Sequence, residues 1–180
     1  MNFKSISFIL WICFFIFLFV NKDLALEFSI FSNSCWQVSI LILFLLQLVF
    51  SITVLPVTPI TLAAGLLWGF YNALFFSFIS TLICTSFTYY LGTKFMSNQN
   101  SIIVSNHKVI NILISKILKY RKLASFISHA NPLLPGSSLG YLFGYLNVGF
   151  TNFIIGALLG GLPLQILMII IGDNFKRYIF

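Results

Sequence analysis

Two short segments decide the fold of this chain: Leu55-Pro56-Val57-Thr58-Pro59 and Asn131-Pro132-Leu133-Leu134-Pro135. Each contains two prolines, three residues apart, within a largely apolar stretch. A proline inside a helix removes a backbone hydrogen bond and clashes with the preceding turn, so neither segment can continue a regular helix. The sequence therefore predicts a helix, a break and a second helix in each half of the chain.

The composition around both breaks is that of a membrane protein. The chain is 59% hydrophobic and 7% charged, its mean hydropathy is +1.04, and its only acids are Asp23, Glu27 and Asp173. A water-soluble fold needs far more solvated groups on its surface. We therefore expect an all-α integral membrane protein, a polytopic helical bundle in which the two proline-broken segments form opposed re-entrant hairpins.

The apolar runs divide the chain into two parts. Residues 1–37 are expected to form an N-terminal transmembrane anchor and a short loop, and residues 38–180 a membrane domain. A signal peptide is the alternative for the first run, Ile6 to Val20, but Leu24-Ala25-Leu26 is a poor cleavage site. Within the membrane domain we expect a re-entrant segment (38–70), a span (72–92), a basic cytoplasmic loop (93–122), a second re-entrant segment (123–147) and a span (150–171). Residues 93–106 are polar and loop-like, and Gly160, Gly161 and Pro163 interrupt the last run.

The net charge of +7 is concentrated in the central loop. A loop rich in Lys and Arg favours the cytoplasmic side of a membrane. Residues 108–123 have the period of a basic amphipathic helix, which is typical of a segment lying in the membrane interface. An ordinary surface helix is the alternative. We expect membrane lipids as partners and no nucleic acid, with lipid-surface contacts from Lys108, Lys116, Lys119, Arg121 and Lys122.

Glycines beside the breaks indicate close helix packing. Gly-x-x-x-Gly patterns occur at Gly65 and Gly69, at Gly140 and Gly144, and at Gly156 and Gly160. Such patterns let helix backbones approach closely. We expect packing within the protein, with a homo-oligomer as the other use of these faces.

Catalytic and metal-binding patterns are absent from the sequence. Cys13, Cys35 and Cys84 stand apart without metal-ligand spacing, and there is no paired carboxylate or phosphate-binding loop. We expect no catalytic residue, no metal, no cofactor and no enzymatic activity.

The two halves share one outline, which is an apolar lead, a proline pair, a glycine-containing arm and a long span. Matching broken helices are typical of inverted-repeat transporters, where the breaks line the pathway. Two continuous proline-kinked helices are the alternative.

The two proline segments also resemble a known family. Leu55 to Gly65 followed by Trp68-Gly69-Phe70 resembles the first re-entrant loop of the DedA superfamily, also called VTT-domain or SNARE-associated Golgi proteins. Asn131 to Pro135, followed by Tyr141 and Gly144, resembles the branch with a PLLP loop. The resemblance implies two opposed re-entrant loops and transport or scrambling of lipids or lipid-linked carriers, and in some bacterial branches dependence on the proton gradient.

The chain departs from this family at two positions. The family often carries an acid before the first loop, where this chain has the apolar Ile52 and Leu55. It often carries Arg three residues before the second loop's proline, where this chain has His129. These departures argue against a proton relay through carboxylates.

Our functional hypothesis is lipid transport or scrambling by a multi-pass protein of the bacterial cytoplasmic membrane. The alternative is a non-transporting membrane organiser that binds partners and anionic lipid. His129 is the leading site residue because an ionisable group within a membrane is functional by default. Ser137, Ser138, Thr58 and Thr61 are expected to cap helices, and Tyr89 and Tyr90 to anchor a span end. The expected transport pathway comprises Pro56, Thr58, Pro59, His129, Asn131, Pro132 and Pro135.

Overall fold

The computed structural model describes residues 34–97, 108–131 and 134–179, with side chains for 34–94, 112–131 and 134–176. All regular secondary structure within these residues is helical. The expected first span, Ile6 to Val20, lies outside them, and so does Pro132. The helices are α1 (Trp36–Ile52), α2 (Thr58–Ser97), α3 (Lys108–Lys119), α4 (Arg121–Ala130), α5 (Gly136–Tyr145) and α6 (Phe150–Ile179).

The first break lies at the first proline pair. Helix α1 ends where Val54 takes a positive φ of 60°, and the amide of Leu55 donates to the carbonyl of Phe50 at 2.8 Å. This is the usual helix-ending turn, but glycine normally occupies the positive-φ position. Helix α2 then begins at Thr58, with Pro59 in its first turn, where a missing amide costs no helical hydrogen bond.

Helix α2 consists of two helical segments that meet at Gly69. This residue has φ 75° and ψ 178°, a conformation essentially restricted to glycine. We call residues 58–68 the first arm and residues 70–97 the first span. The first span continues through residues 93–97, which the sequence predicted as loop. Lys94 lies in its last turn, where a positive charge is favourable at the C-terminal end of a helix.

The second half repeats this order. Helix α4 ends at Ala130, and after the break α5 forms the second arm. A turn with positive φ at Asn147 and Gly149 leads to α6, the second span. Helix α6 is continuous through Gly160, Gly161 and Pro163. Lipid offers no competing hydrogen-bond partners, so a membrane helix tolerates these residues.

The composition of α1 is inverted relative to a soluble helix. Its buried positions are Ser39, Leu43, Gln47 and Ser51, whereas Leu41 and Leu45 are exposed. The apolar face therefore points outward and the polar face inward, as expected for a helix surrounded by lipid. Two segments, Thr58–Lys94 and Phe150–Lys176, are long and apolar enough to cross a membrane.

Contacts between helices fix their relative directions. Gln47 contacts Thr81, and Trp36 lines the same cavity as Asn72, so α1 runs parallel to the first span. Helix α4 likewise runs parallel to the second span, since Gly156 packs against Ser125 and Gly160 against Ala130.

Each arm packs against the span of the other half. In the first arm, Gly65 lies against the backbone of Ile169 on α6. In the second arm, Gly140 lies against Thr88 and Gly144 against Tyr89, both on α2. The two halves are thus joined by reciprocal close contacts at backbone distance.

Candidate functional site

Four polar side chains meet where the two spans cross, and we call them the polar cluster: Gln47, Ser80, Thr81 and Gln165. The Nε2 atoms of both glutamines donate to the hydroxyl oxygen of Thr81, at 3.4 Å from Gln47 and 3.0 Å from Gln165. The Ser80 hydroxyl lies 2.8 Å from the Oε1 atom of Gln47. The polar cluster therefore connects α1 and both spans, near the middle of each span.

Burial makes this arrangement energetically significant. Gln47 is 2% exposed and Ser80 1% exposed. An amide without a hydrogen-bond partner in an apolar interior costs several kcal/mol. In membrane proteins, hydrogen bonds between helices contribute about 0.6 kcal/mol on average and about 1.7 at most. The polar cluster thus provides hydrogen-bond partners for its four side chains, while each bond contributes little to holding the helices together.

Ser80 has a second acceptor within its own helix. Its hydroxyl also lies 2.7 Å from the carbonyl oxygen of Phe76. A hydroxyl has one proton to donate, so Ser80 can serve Gln47 or the backbone. Separation of α1 from α2 would leave the Ser80 hydroxyl with a partner.

Further polar residues continue the inward face of the first span on both sides of the polar cluster. Ser77, Thr85 and Thr88 are all buried. Thr85 and Thr88 donate to carbonyls of their own helix, whereas the Ser77 hydroxyl has no partner among the described residues. A hydroxyl-lined face therefore runs along several turns of the first span.

His129, the leading sequence candidate, is buried beside the second break. Its Nδ1 atom lies 2.9 Å from the carbonyl oxygen of Ser125, so Nδ1 carries a proton and donates it. Its ring packs edge-on against Phe153, and its buried Nε2 atom has no partner in the described part of the chain. In the neutral ring with a proton on Nδ1, the Nε2 atom is a hydrogen-bond acceptor.

The residues of the breaks have roles different from the expected helix caps. No side chain caps α5. Ser138 donates to the carbonyl of Pro135 at 2.7 Å, and the buried Ser137 hydroxyl has no partner within residues 34–97, 108–131 and 134–179. The Thr61 hydroxyl is 3.5 Å from the carbonyl of Val57, at the limit of a hydrogen bond. Asn131 is the C-terminal cap residue of α4 and is exposed. Pro56 and Pro135 are half-buried, each two or fewer residues before the following helix.

Five of the six predicted packing glycines lie in backbone-to-backbone or backbone-to-side-chain contacts within this chain. A Cβ atom at Gly65, Gly140, Gly144, Gly156 or Gly160 would overlap a neighbouring helix. Gly69 instead forms the bend of α2. The glycine faces are thus occupied by the chain itself.

The basic residues of the central region are exposed. Lys116, Lys119, Arg121 and Lys122 all point outward, and Ile112 and Leu113 on α3 are also exposed, at 47% and 54%. Lys108 begins α3, and its side chain lies outside the described residues. Apolar and basic side chains are thus presented together on α3.

Sequence reasoning missed the polar cluster, although a signal was present. Gln47 and Gln165 are the glutamines inside the apolar runs 38–55 and 151–171. It also misassigned Tyr89, which is buried, stacks on Phe153 at 4.9 Å and accepts a hydrogen bond from the amide of Gly149. Tyr90 is exposed, with the ammonium of Lys94 5.0 Å from its ring centre.

One comparison with known proteins identifies a family. A family model described as the VTT domain matches residues 55–174, about two thirds of the 180-residue chain. No curated protein and no solved structure matches. Among the described residues, no group of three or more His, Cys, Asp or Glu side chains is arranged to hold a metal ion.

Proposed function

The chain belongs to the VTT-domain family, the DedA and SNARE-associated Golgi proteins, and we propose that it transports or scrambles a lipid or lipid-linked carrier between membrane leaflets. Membership makes it a membrane protein of a family that is generally not enzymatic. The observation that carries the proposal is the polar cluster. Polar groups at the centre of spans are expensive in lipid and mark pathways for polar solutes.

The geometry of the polar cluster suits passage of a headgroup. A lipid headgroup crossing the hydrocarbon core needs hydrogen-bond partners at mid-depth, and Gln47, Thr81 and Gln165 supply both donors and acceptors there. The alternative acceptor of Ser80 lets α1 move aside at low cost. The acyl chains of the lipid would remain in the bilayer, next to the exposed apolar face of α1.

Helix length supports two re-entrant segments. The hydrocarbon core is about 30 Å thick, and a helix rises about 1.5 Å per residue. Helices α4 and α5 have 10 residues each, so each is about 15 Å long. Because such helices cannot cross the core, we place α4 and α5 as a hairpin that enters and leaves on one side. The first arm, residues 58–68, is similarly short.

Charge supports one orientation of this arrangement. Lys94, Arg121 and Lys122 belong to the end where the first span finishes and the second begins. By the positive-inside rule this end is cytoplasmic. The protein is then multi-pass, in the bacterial cytoplasmic membrane. Thiol labelling of a cysteine introduced in the central loop tests this, and labelling from outside intact cells would contradict it.

Leaflet exchange of a fluorescent lipid tests the function. The full chain is reconstituted into liposomes with a head-labelled lipid in both leaflets, and dithionite then bleaches the accessible label. Exchange predicts loss of more than the outer-leaflet half of the signal. A plateau equal to that of protein-free vesicles would refute transport of that lipid, and a panel of headgroups extends the test.

Matched variants link exchange to the polar cluster. Gln47→Leu keeps the side-chain volume but removes the amide. If the headgroup loses one hydrogen bond of about 1 kcal/mol at the top of the exchange barrier, exchange slows roughly fivefold. The control is Gln37→Leu, on the exposed face of the same helix. Equal rates for the two variants would remove the polar cluster from the pathway.

A second function is favoured by α3, which presents exposed Ile112 and Leu113 beside Lys116 and Lys119. This surface suits a membrane organiser that holds anionic lipid without transporting it. Protein that concentrates anionic lipid in vesicles yet leaves leaflet exchange at the background rate would favour this function.

A further inference from the structure

A cavity of about 510 Å³ lies between α1, the first span and the end of α6. Ligand sites in proteins have volumes of about 300–1,000 Å³. Its inner wall is formed by Phe44, Phe76 and Ile40, which offer an apolar surface of the kind that an alkyl chain fills. Six of its ten lining residues belong to the residues 55–174 that match the family, and four lie outside them: Trp36, Ile40, Phe44 and Lys176.

The cavity is open toward the surrounding lipid. Phe75, on its edge, is 71% exposed, and Ile79, one turn further along the span, is 41% exposed. An acyl chain can therefore enter sideways from the bilayer. A water-soluble ligand would have to cross that apolar rim.

One end of the cavity carries a lysine ammonium group. Lys176 is the only charged side chain among the described residues that line it. Its Nζ atom donates to the carbonyl oxygen of Leu67 at 3.1 Å, which fixes the ammonium beside the bend at Gly69. An ammonium has three hydrogens, so two are not used by Leu67. The Oδ1 atom of Asp173 also lies beside the bend, 3.3 Å from where a Cβ atom of Gly69 would be. The amide of Asn72 lies in the same wall.

The aromatic residues indicate the depth of this charged end. Trp36 and Trp68 line the cavity, one at the start of α1 and one at the end of the first arm. Tryptophan is enriched at the level of the lipid headgroups. Lys176 thus lies where a phosphate is found, and the apolar wall extends from there toward the middle of the span.

The deep end of the cavity meets the polar cluster. Ser80 lines the cavity wall and also contacts Gln47. A lipid in the cavity would have its headgroup at Lys176 and would lie alongside the path toward Thr81.

We propose that this cavity binds an anionic phospholipid, with the phosphate held by Lys176 and Asn72 and one acyl chain between α1 and the first span. This site rests on the proposed function, because it would bind the lipid before the lipid moves between leaflets. On the proposed orientation it faces the outer leaflet.

Quenching of Trp68 by brominated lipids tests the site. The full chain with Trp11→Phe and Trp36→Phe retains Trp68 as its single tryptophan. It is placed in nanodiscs of phosphatidylcholine containing a minor fraction of brominated phosphatidylglycerol or brominated phosphatidylcholine. We expect phosphatidylglycerol to quench at roughly fivefold lower mole fraction, the preference that one lysine gives at an anionic surface. Equal quenching by the two lipids would overturn the proposal.

Variants of the lysine identify the contact. Lys176→Gln should abolish the preference, and Lys176→Arg should keep it. The control is Lys94→Gln, at the opposite end of the first span, which should leave the preference intact. If Lys94→Gln abolishes it and Lys176→Gln does not, the preference belongs to the general surface charge and the site is refuted. Far-UV circular dichroism confirms folding of each variant.

Leaflet exchange measured on the same variants separates this proposal from the function on which it rests. Normal exchange without any lipid preference at Trp68 would refute the cavity site and leave transport standing. Preferential quenching without exchange would establish the site and refute transport.

Discussion

Two adjacent glycines in α6 should respond oppositely to the same substitution. A Cβ atom at Gly160 would overlap the carbonyl oxygen of Phe126 and lie 3.1 Å from the amide nitrogen of Ala130. A Cβ atom at Gly161 would meet only the Nε2 atom of Gln165, at 3.8 Å, which is an ordinary contact. The two positions share one helix and one depth, so each is the control for the other.

The magnitudes follow from helix propensity and packing. Replacing glycine by alanine in a helix interior gains about 1 kcal/mol. At Gly161 nothing opposes this gain, so Gly161→Ala should stabilise by about 0.5–1 kcal/mol. At Gly160 the obstacle is the backbone of α4, and forcing a methyl group into such a contact costs about 1–3 kcal/mol. With a cost at the upper end of that range, Gly160→Ala should be destabilising by about 1–2 kcal/mol.

Unfolding by sodium dodecyl sulfate in mixed micelles, followed by circular dichroism, measures both variants against the wild type. The predicted difference between them is about 1.5–3 kcal/mol. A Gly160→Ala variant as stable as the wild type would refute the packing of α4 on α6. Repeating the titration at two protein-to-detergent ratios separates packing within the chain from a dimer, since only a dimer depends on concentration.

Three further predictions concern the backbone and the thiols. Gly69→Ala should be destabilising by about 1–3 kcal/mol, because φ 75° with ψ 178° is open essentially to glycine alone, and a thermal melt in detergent checks it. Val54→Gly should instead stabilise by about 1 kcal/mol in the same melt, because it relieves a β-branched residue at φ 60°; a loss of stability would contradict this. In a Cys13→Ser background, a maleimide should modify the exposed Cys35 in the folded protein but not the buried Cys84, and mass spectrometry of proteolytic peptides identifies the modified residue.

The helix breaks were predictable because proline acts locally. The positions of Pro56, Pro59 and Pro135 restrict their own backbone and the preceding turn, whatever the rest of the chain does. Helix α6 shows that a local signal for a break is weaker within a membrane. Gly160, Gly161 and Pro163 signal a break in water, but lipid removes the solvent that would take over the freed backbone groups.

The polar cluster depends on a crossing of helices that no local pattern reveals. Gln47 and Gln165 are each recognisable as polar residues in an apolar run, but their common partner is Thr81, a residue of ordinary type. The burial of Tyr89 has the same origin, since the second arm and the start of α6 cover a position that sequence places near a span end.

The packing of each arm against the span of the other half has a consequence for biosynthesis. When the first arm leaves the ribosome, Gly65 has no packing partner. Its partner Ile169 is translated about a hundred residues later. Until then the insertion machinery or a chaperone must shield a segment too short to span the bilayer. A chain truncated before α6 should therefore be degraded in the cell, because neither half can bury its arm without the span of the other half.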